Sequence, residues 1–350
     1  MIDYLVIGCG LAGVSLIELL QQNGKTVHVF DNASQPSSTV AGGMYNPVVL
    51  KRFTEIWKAS EQVDIVTNFY PNLEKKLNVK FDFPMSLYRK FASIEEQNNW
   101  FVACDKVSLA PFLNQKIVNS KFNHIDSPFG YGEVFNSGYL DIKKLISNFQ
   151  KMLQQKNLFF SDEFKYNDLI IEDNSVSYNG IRYKKVVFAE GFGLHANPYF
   201  NDLPLDGTKG ELIHIKAIGL EINSIIKSNI FILPIGNHIY KVGATYNWQD
   251  KTNEPTAEGK SELIEKLNEL ISCDYEVIEH LAGVRPTVKD RRPLVGTHYV
   301  HKNLHILNGL GTRGVMLGPF LAKSLYDYLE LDEPLDKEID INRFYKKRAN

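Results

Sequence analysis

The sequence predicts a mixed α/β fold built on two kinds of sheet, one parallel and one antiparallel. Three observations predict it. Residues 1–31 alternate strand, glycine-rich turn, helix and strand. Two later buried-type strands, Lys185 to Phe188 and Leu304 to Leu307, each run into a glycine-containing turn. The stretches 80–135 and 206–282 instead carry strand patterns in succession, as an antiparallel layer does.

The N-terminal unit is the most specific part. Tyr4-Leu5-Val6-Ile7 is a buried strand, followed by Gly8-Cys9-Gly10-Leu11-Ala12-Gly13. A helix pattern runs from Leu11 to Asn23 with Gly24 as its C-cap, and a second strand, Thr26 to Phe30, closes on Asp31. This is G-x-G-x-x-G in the strand–turn–helix setting of a dinucleotide-binding βαβ unit. Gly8 lets the strand turn sharply, Gly10 leaves the backbone open to a pyrophosphate, and Gly13 lets the helix lie close on the strand. The pyrophosphate belongs at the helix N-terminus, where free N–H groups and the dipole favour negative charge. Asp31 is placed to accept from ribose hydroxyls, which disfavours NADP. It does not separate FAD from NAD.

The remaining elements follow in order. The polar stretch Asn32 to Thr39 leads into Val40-Ala41-Gly42-Gly43-Met44-Tyr45-Asn46-Pro47, whose paired glycines and Asn-Pro mark irregular backbone. A helix is predicted from Thr54 to Tyr70, and strand-like aromatic sequence from Phe81 to Phe91. Another helix starts at Ser93, where Ser-x-x-Glu forms a capping box. Asp105 to Ser120 is loop and short helix. Asp141 is an N-cap, after which Ile142, Leu145, Ile146, Phe149 and Leu153 share one helical face. Leu169 to Glu172 and Ser175 to Tyr178 form a hairpin. Strands follow at Glu211 to Lys216, Ile230 to Pro234 and His238 to Thr245, then an amphipathic helix from Glu258 to Ile271. Gly309 to Gly318 is a glycine-rich segment, and Phe320 to Leu329 is the last helix.

Composition narrows the class. With 39 basic and 41 acidic side chains the net charge is −2, so nothing draws the chain generally to nucleic acid or membrane. Basic pairs such as Arg291-Arg292 and the tail Lys346-Lys347-Arg348 read as solvated faces. The three cysteines are widely spaced and form no C-x-x-C, so neither a zinc site nor a disulfide framework is indicated. Histidines lack metal-ligand spacing, and no metal is expected. No signal peptide is visible, and no apolar run approaches a membrane span. The expectation is a soluble cytoplasmic protein.

Several segments together resemble the D-amino acid oxidase-like family of FAD-dependent oxidoreductases, of the glycine oxidase and sarcosine oxidase type. They are Gly8-x-Gly10-x-x-Gly13 with Asp31; Ser37-Ser38 through Ala41-Gly42-Gly43; Val186 to Gly191, with Ala189-Glu190-Gly191 at its end; and Gly283-Val284-Arg285-Pro286, followed by Asn308 to Gly314. Val242-Gly243-Ala244-Thr245 is a further family-like strand. The motif Gly309-Leu310-Gly311-Thr312-Arg313-Gly314 is closest in form to the FAD domain of the bifunctional enzyme that modifies the tRNA wobble uridine, and Asn46-Pro47 fits that branch loosely. The chain is expected to lack that enzyme's methyltransferase domain.

The resemblance implies FAD rather than NAD, since the second glycine-rich element borders the flavin. It implies a Rossmann-like FAD-binding domain from 1–79, 137–205 and 283–350, with a discontinuous antiparallel-sheet substrate domain from 80–136 and 206–282. The implied cofactor contacts are Gly8, Gly10, Leu11, Ala12, Gly13, Asp31 and Asn32; Ala41, Gly42, Gly43 and Met44; Ala189, Glu190 and Gly191; and Gly309, Gly311, Thr312, Arg313, Gly314 and Val315. No cysteine lies in the C-terminal glycine segment, where some relatives attach flavin, so the FAD is expected to be non-covalent.

The implied chemistry is oxidation of an amine C–N bond by hydride transfer to flavin N5, with the imine hydrolysed afterwards. By resemblance Arg285 holds the substrate carboxylate, as a guanidinium suits. Arg313 is expected to face the flavin ring, and Lys209 to place a cation near it. Tyr240 and Tyr246 flank the Gly243-Ala244-Thr245 strand as candidates to line the pocket. The leading expectation is a small N-substituted glycine or amino acid as substrate, with oxygen or another electron acceptor. The alternatives are a tRNA-borne amine losing a carboxymethyl group, and a non-catalytic flavin-binding subunit.

Overall fold

The computed structural model describes residues 1–119 and 122–345. Ser120 and the basic tail Lys346-Lys347-Arg348 lie outside the described residues.

Alternation of buried side chains builds the first sheet. In the strand Ile2–Ile7, Tyr4 and Val6 enter one core cluster while Leu5 and Ile7 enter another, so both faces are covered. The parallel core runs Phe159–Phe160, Val27–Phe30, Ile2–Ile7, Ile181–Phe188, Leu304–Asn308. Leu294–Thr297 adds antiparallel at the end, and the hairpin Ile170–Ile171 with Val176–Tyr178 pairs with the first half of Ile181–Phe188. Ile7 lies between Phe30 and Phe188, so Gly8, Asp31 and Ala189 leave the sheet together at its carboxyl end. In an open parallel sheet this is where ligands bind.

The helices Leu11–Gln22 and Gly314–Glu330 cross on one face of this sheet, joined there by Ala59–Leu77 and Ile142–Gln155. Their close crossing explains a glycine inside a helix. A Cβ on Gly318 would lie 2.8 Å from Ser15 Oγ and 3.2 Å from Leu11 O. The last helix begins at Gly314, within the segment read as glycine-rich, and not at Phe320. The expected helix from Thr54 also starts later, at Ala59, and runs to Leu77. Thr54–Glu55 instead pairs with Val48–Val49, and Phe53 and Lys58 take left-handed backbone angles that break a helix there. Asp141 and Ser93 cap their helices as expected, through Lys144 N and Glu96 N.

The second sheet has seven strands in the order Glu276–Arg285, Thr208–Lys216, Ile239–Gly243, Phe231–Gly236, Ile225–Lys227, Leu87–Lys90, Tyr131–Val134. All pairs are antiparallel except Ile225–Lys227 with Leu87–Lys90. The helix Ala257–Asn268 covers its outer face over Ile213, Ile215, Tyr240 and Val242. Glu276–Arg285 runs across the expected boundary at 282/283, so Gly283, Val284 and Arg285 belong to this sheet. A small third sheet pairs Met44–Tyr45 and Asp82–Pro84 with Gly138–Leu140.

Candidate active site

A cavity of about 410 Å³ opens at the carboxyl end of the parallel strands and continues to the inner face of the antiparallel sheet. One end is walled by Phe30, Asp31, Asn32 and, opposite them, Asp162 to Phe164 and Tyr166. The Asp31 carboxylate accepts from Cys9 N at 2.5 Å and from Ala33 N at 2.6 Å, which fixes it at the strand end. The glycine turn is sterically required. Gly8 has φ +99°, and a Cβ there would lie 2.4 Å from Ala189 O. One on Gly13 would lie 2.0 Å from Gly8 O, so Gly13 packs behind the turn and does not line the cavity.

Two helix N-termini meet the cavity. Gly10, Leu11 and Ala12 line it from the first helix; Gly311, Thr312, Gly314 and Val315 line it from the last. Neither N-cap residue, Gly10 or Arg313, accepts from its helix through its side chain, which leaves donors and positive dipole ends for an anion. Ala41 to Met44 and Ala189 to Gly191 complete this part of the wall, with Ser38 Oγ receiving a long bond of 3.4 Å from Leu11 N.

Glu190 is the acid of this wall and is half-buried. Tyr166 Oη donates to it at 2.5 Å and Asn197 Nδ2 at 2.7 Å. Burial pushes its carboxyl up to about 7, against the pull of those two donors.

The far end is the sheet face carrying Gly210, Leu212, Phe231, Ala244 and Gly283. Arg285 lies across Gly210: a Cβ there would fall 1.8 Å from Nη2. The guanidinium makes one long hydrogen bond, Nη1 to Thr245 O at 3.4 Å, and the Tyr246 ring lies 4.7 Å from it. Among the described residues it has no carboxylate partner within ion-pair distance. Burial lowers its pKa, with the Tyr246 phenol opposing. Arg313 reaches Asn46 O at 3.4 Å, and burial brings it down to about 10. It does not itself line the cavity, and it too has no carboxylate partner among the described residues.

The model of the family described as DAO, FAD dependent oxidoreductase, matches residues 3–328. The chain belongs to this family. The tRNA 5-methylaminomethyl-2-thiouridine biosynthesis bifunctional protein MnmC of Marinobacter nauticus is 22% identical over 372 residues, covering 98% of this chain and 58% of that protein. The chain thus spans little more than half of that relative. Among solved structures, glycine oxidase from Bacillus cereus superposes with a TM-score of 0.79 at 19% identity, covering 95% of this chain and 96% of that one. Iminodiacetate oxidase from Chelativorans gives 0.79 at 17% identity, again 95% and 96%. At these identities the likeness carries the DAO fold.

The DAO family's cofactor is FAD, and the cavity fits a long dinucleotide. An acid stands at one strand end, uncapped helix N-termini stand in the middle, and a broad apolar sheet face closes the other end. Besides Gly13 and Arg313, three expected site residues stand elsewhere. Strand alternation turns Lys209 to the face opposite Gly210, where it is fully buried and its ammonium meets Asp250 Oδ2 at 2.5 Å. No cation is therefore supplied to the cavity from that position. Tyr240 likewise faces the outer core with Ile213 and Leu263. Gly309 sits behind the wall, where a Cβ would lie 2.6 Å from Val288 Cγ2. Phe164, Tyr166, Phe231 and Lys227 line the cavity although nothing local in the sequence marked them. Lys227 is drawn down to about 8 by burial and by Arg89. Among the described residues no group of His, Cys, Asp and Glu is arranged to hold a metal, and no helix is long and apolar enough to cross a membrane.

Proposed function

We propose that the protein oxidises the C–N bond of a small amine bearing a carboxylate, an N-substituted glycine or amino acid, with non-covalent FAD. The observation that carries this reading is Arg285, a half-buried guanidinium on the cavity wall with no carboxylate partner among the described residues. Such a group binds a carboxylate through two parallel hydrogen bonds and stays charged while doing so.

Bound FAD supplies the two-electron acceptor for the carbon beside the amine nitrogen. Asp31 would accept from the adenosine ribose, and the N–H groups at Gly10 to Ala12 would hold the pyrophosphate. Ala41 to Met44 and Gly311 to Val315 would border the ring end. Arg285 fixes the carboxylate, and so fixes where the adjacent carbon lies. Leu212, Phe231 and Ala244 keep water from that face. Of the carboxylates that line the cavity, Asp31, Asp162 and Glu163 stand with Phe30 at the other end, and Glu190 is held by Tyr166 and Asn197. The amine beside Arg285 therefore enters neutral, without a side-chain base.

Anaerobic addition of glycine, sarcosine, proline or a D-amino acid is expected to bleach the flavin. Arg285→Ala is expected to keep FAD and to weaken the carboxylated substrate at least about thirtyfold, the loss typical of one partner of a buried charge pair. Unchanged kinetics would sink the assignment. A second reading places the same chemistry on a tRNA-borne amine. Its support is the likeness to the MnmC protein along 98% of this chain and the exposed Tyr246 ring, 62% accessible, on the cavity wall. Bleaching by hypomodified tRNA alone would select it.

A further inference from the structure

The loop from Tyr246 to Thr256 is tied to the antiparallel sheet by an internal charge. Lys209 Nζ, fully buried, meets Asp250 Oδ2 at 2.5 Å and Thr252 Oγ1 at 3.3 Å, and also donates to the Glu254 carbonyl. Its backbone pairs with Asn247 in both directions, at 2.9 and 3.0 Å. The loop is fastened at its other points too. Asn253 Oδ1 accepts from Val284 N at 3.1 Å, and Thr256 Oγ1 donates to Glu211 Oε1 at 2.7 Å.

These anchors all lie on the two strands that carry the carboxylate site. Lys209 pairs with Val284, and Thr208 with Arg285. The loop begins at Tyr246, whose ring covers the Arg285 guanidinium. A buried ammonium is costly unless fully partnered. One partner, Glu211 Oε1 at 3.8 Å, is on the same strand; the other three are points of one loop, so the charge ties that loop to the strand.

We propose that Lys209 is a positioning residue for the carboxylate site. By holding Asp250, Thr252 and the Glu254 carbonyl, it fixes Tyr246 over Arg285. This rests on the reading of Arg285 as the carboxylate clamp. The role assigned to Lys209 is thus indirect: it sets the geometry of the group that touches substrate.

The test uses FAD-loaded Lys209→Met and Asp250→Asn proteins, with acetate and glycolate as probes followed through the flavin absorbance. Asp250→Asn is the second variant: it keeps the Lys209 ammonium with Thr252, the Glu254 carbonyl and Glu211, and removes only the loop carboxylate. The expected result is unaltered FAD content, faster hydrogen exchange at 246–256, and probe dissociation constants raised about tenfold. Lys209→Arg is expected to restore most of the affinity. A merely structural role predicts lower thermal stability with unchanged probe affinity, and that result overturns the proposal. Unchanged exchange at 246–256 overturns it as well, whatever the probes do. Wild-type protein that ignores both probes would refute the clamp reading, while the exchange data still report whether Lys209 holds the loop.

Discussion

At Gly210 the strand has no side chain, and the Arg285 guanidinium fills the space a Cβ would need. Gly210→Ala is therefore expected to displace the guanidinium while leaving the cofactor half of the cavity intact. Flavin titration with acetate should show near-normal FAD content and affinity lowered by about tenfold or more, as for a misplaced binding group. Loss of FAD in this variant would place Arg285 elsewhere in the site's logic. Glu190 makes a different prediction at the same scale. Its carboxyl is raised from 4.5 to about 7, so the folded protein binds this proton more tightly than the unfolded chain. Stability falls as pH rises from about 4.5 through about 7 and then levels off, by at most roughly 3 kcal/mol. Glu190→Gln should flatten that part of the melting profile of the FAD-free protein; an unchanged profile would contradict the assignment. Residues such as Gly8 and Asp31 were legible because a tight turn and a strand-end acid leave a local pattern. Lys209 was not, because its strand buries both faces and alternation gives no phase; Tyr240 alternates with partly buried neighbours, but the pattern does not say which face meets the cavity.

The crossing of Leu11–Gln22 with Gly314–Glu330 sets how near the two helix N-termini come to one cavity. Gly318 makes that approach feasible, with Ser15 Oγ and Leu11 O directly above it. Gly318→Ala is expected to lower stability by about 1–3 kcal/mol, the usual cost of overpacking. Combining it with Ser15→Ala should recover part of the loss, because the closest atom is gone and the two sites are in contact. Additive melting temperatures in that cycle would show that the helices simply shift apart. Elements of this kind were only half legible. Strong periodicity and an N-cap located the helix after Asp141. The helix at Gly314 was hidden because its first turns are glycine-rich for the sake of close approach, not flexibility. The edge strand Glu276–Arg285 was hidden because Glu276 and Glu279 face solvent and break the apolar run.

At the scale of the molecule, the cavity joins two sheets that share little else of the chemistry. Asp31, Glu190 and the glycine turn belong to the parallel sheet; Gly210, Phe231 and Arg285 belong to the antiparallel one. A dinucleotide long enough to reach from one to the other binds only when both are in place. It therefore stabilises the folded protein by mass action, about 2.7 kcal/mol at a free concentration of 100 times its dissociation constant. Removing FAD should lower the melting temperature, and adding it back should raise that temperature in proportion to the logarithm of its concentration. The same argument bears on attachment. Cys9 and Cys104 are buried, and none of Cys9, Cys104 and Cys273 lines the cavity, so no thiol is offered to the flavin ring. Denaturation in urea followed by ultrafiltration is expected to pass the yellow cofactor into the filtrate with its adenylate intact. Flavin retained with the polypeptide would mean that a side chain reaches the ring covalently, and that the cavity closes more tightly around its far end than the Arg285 geometry allows.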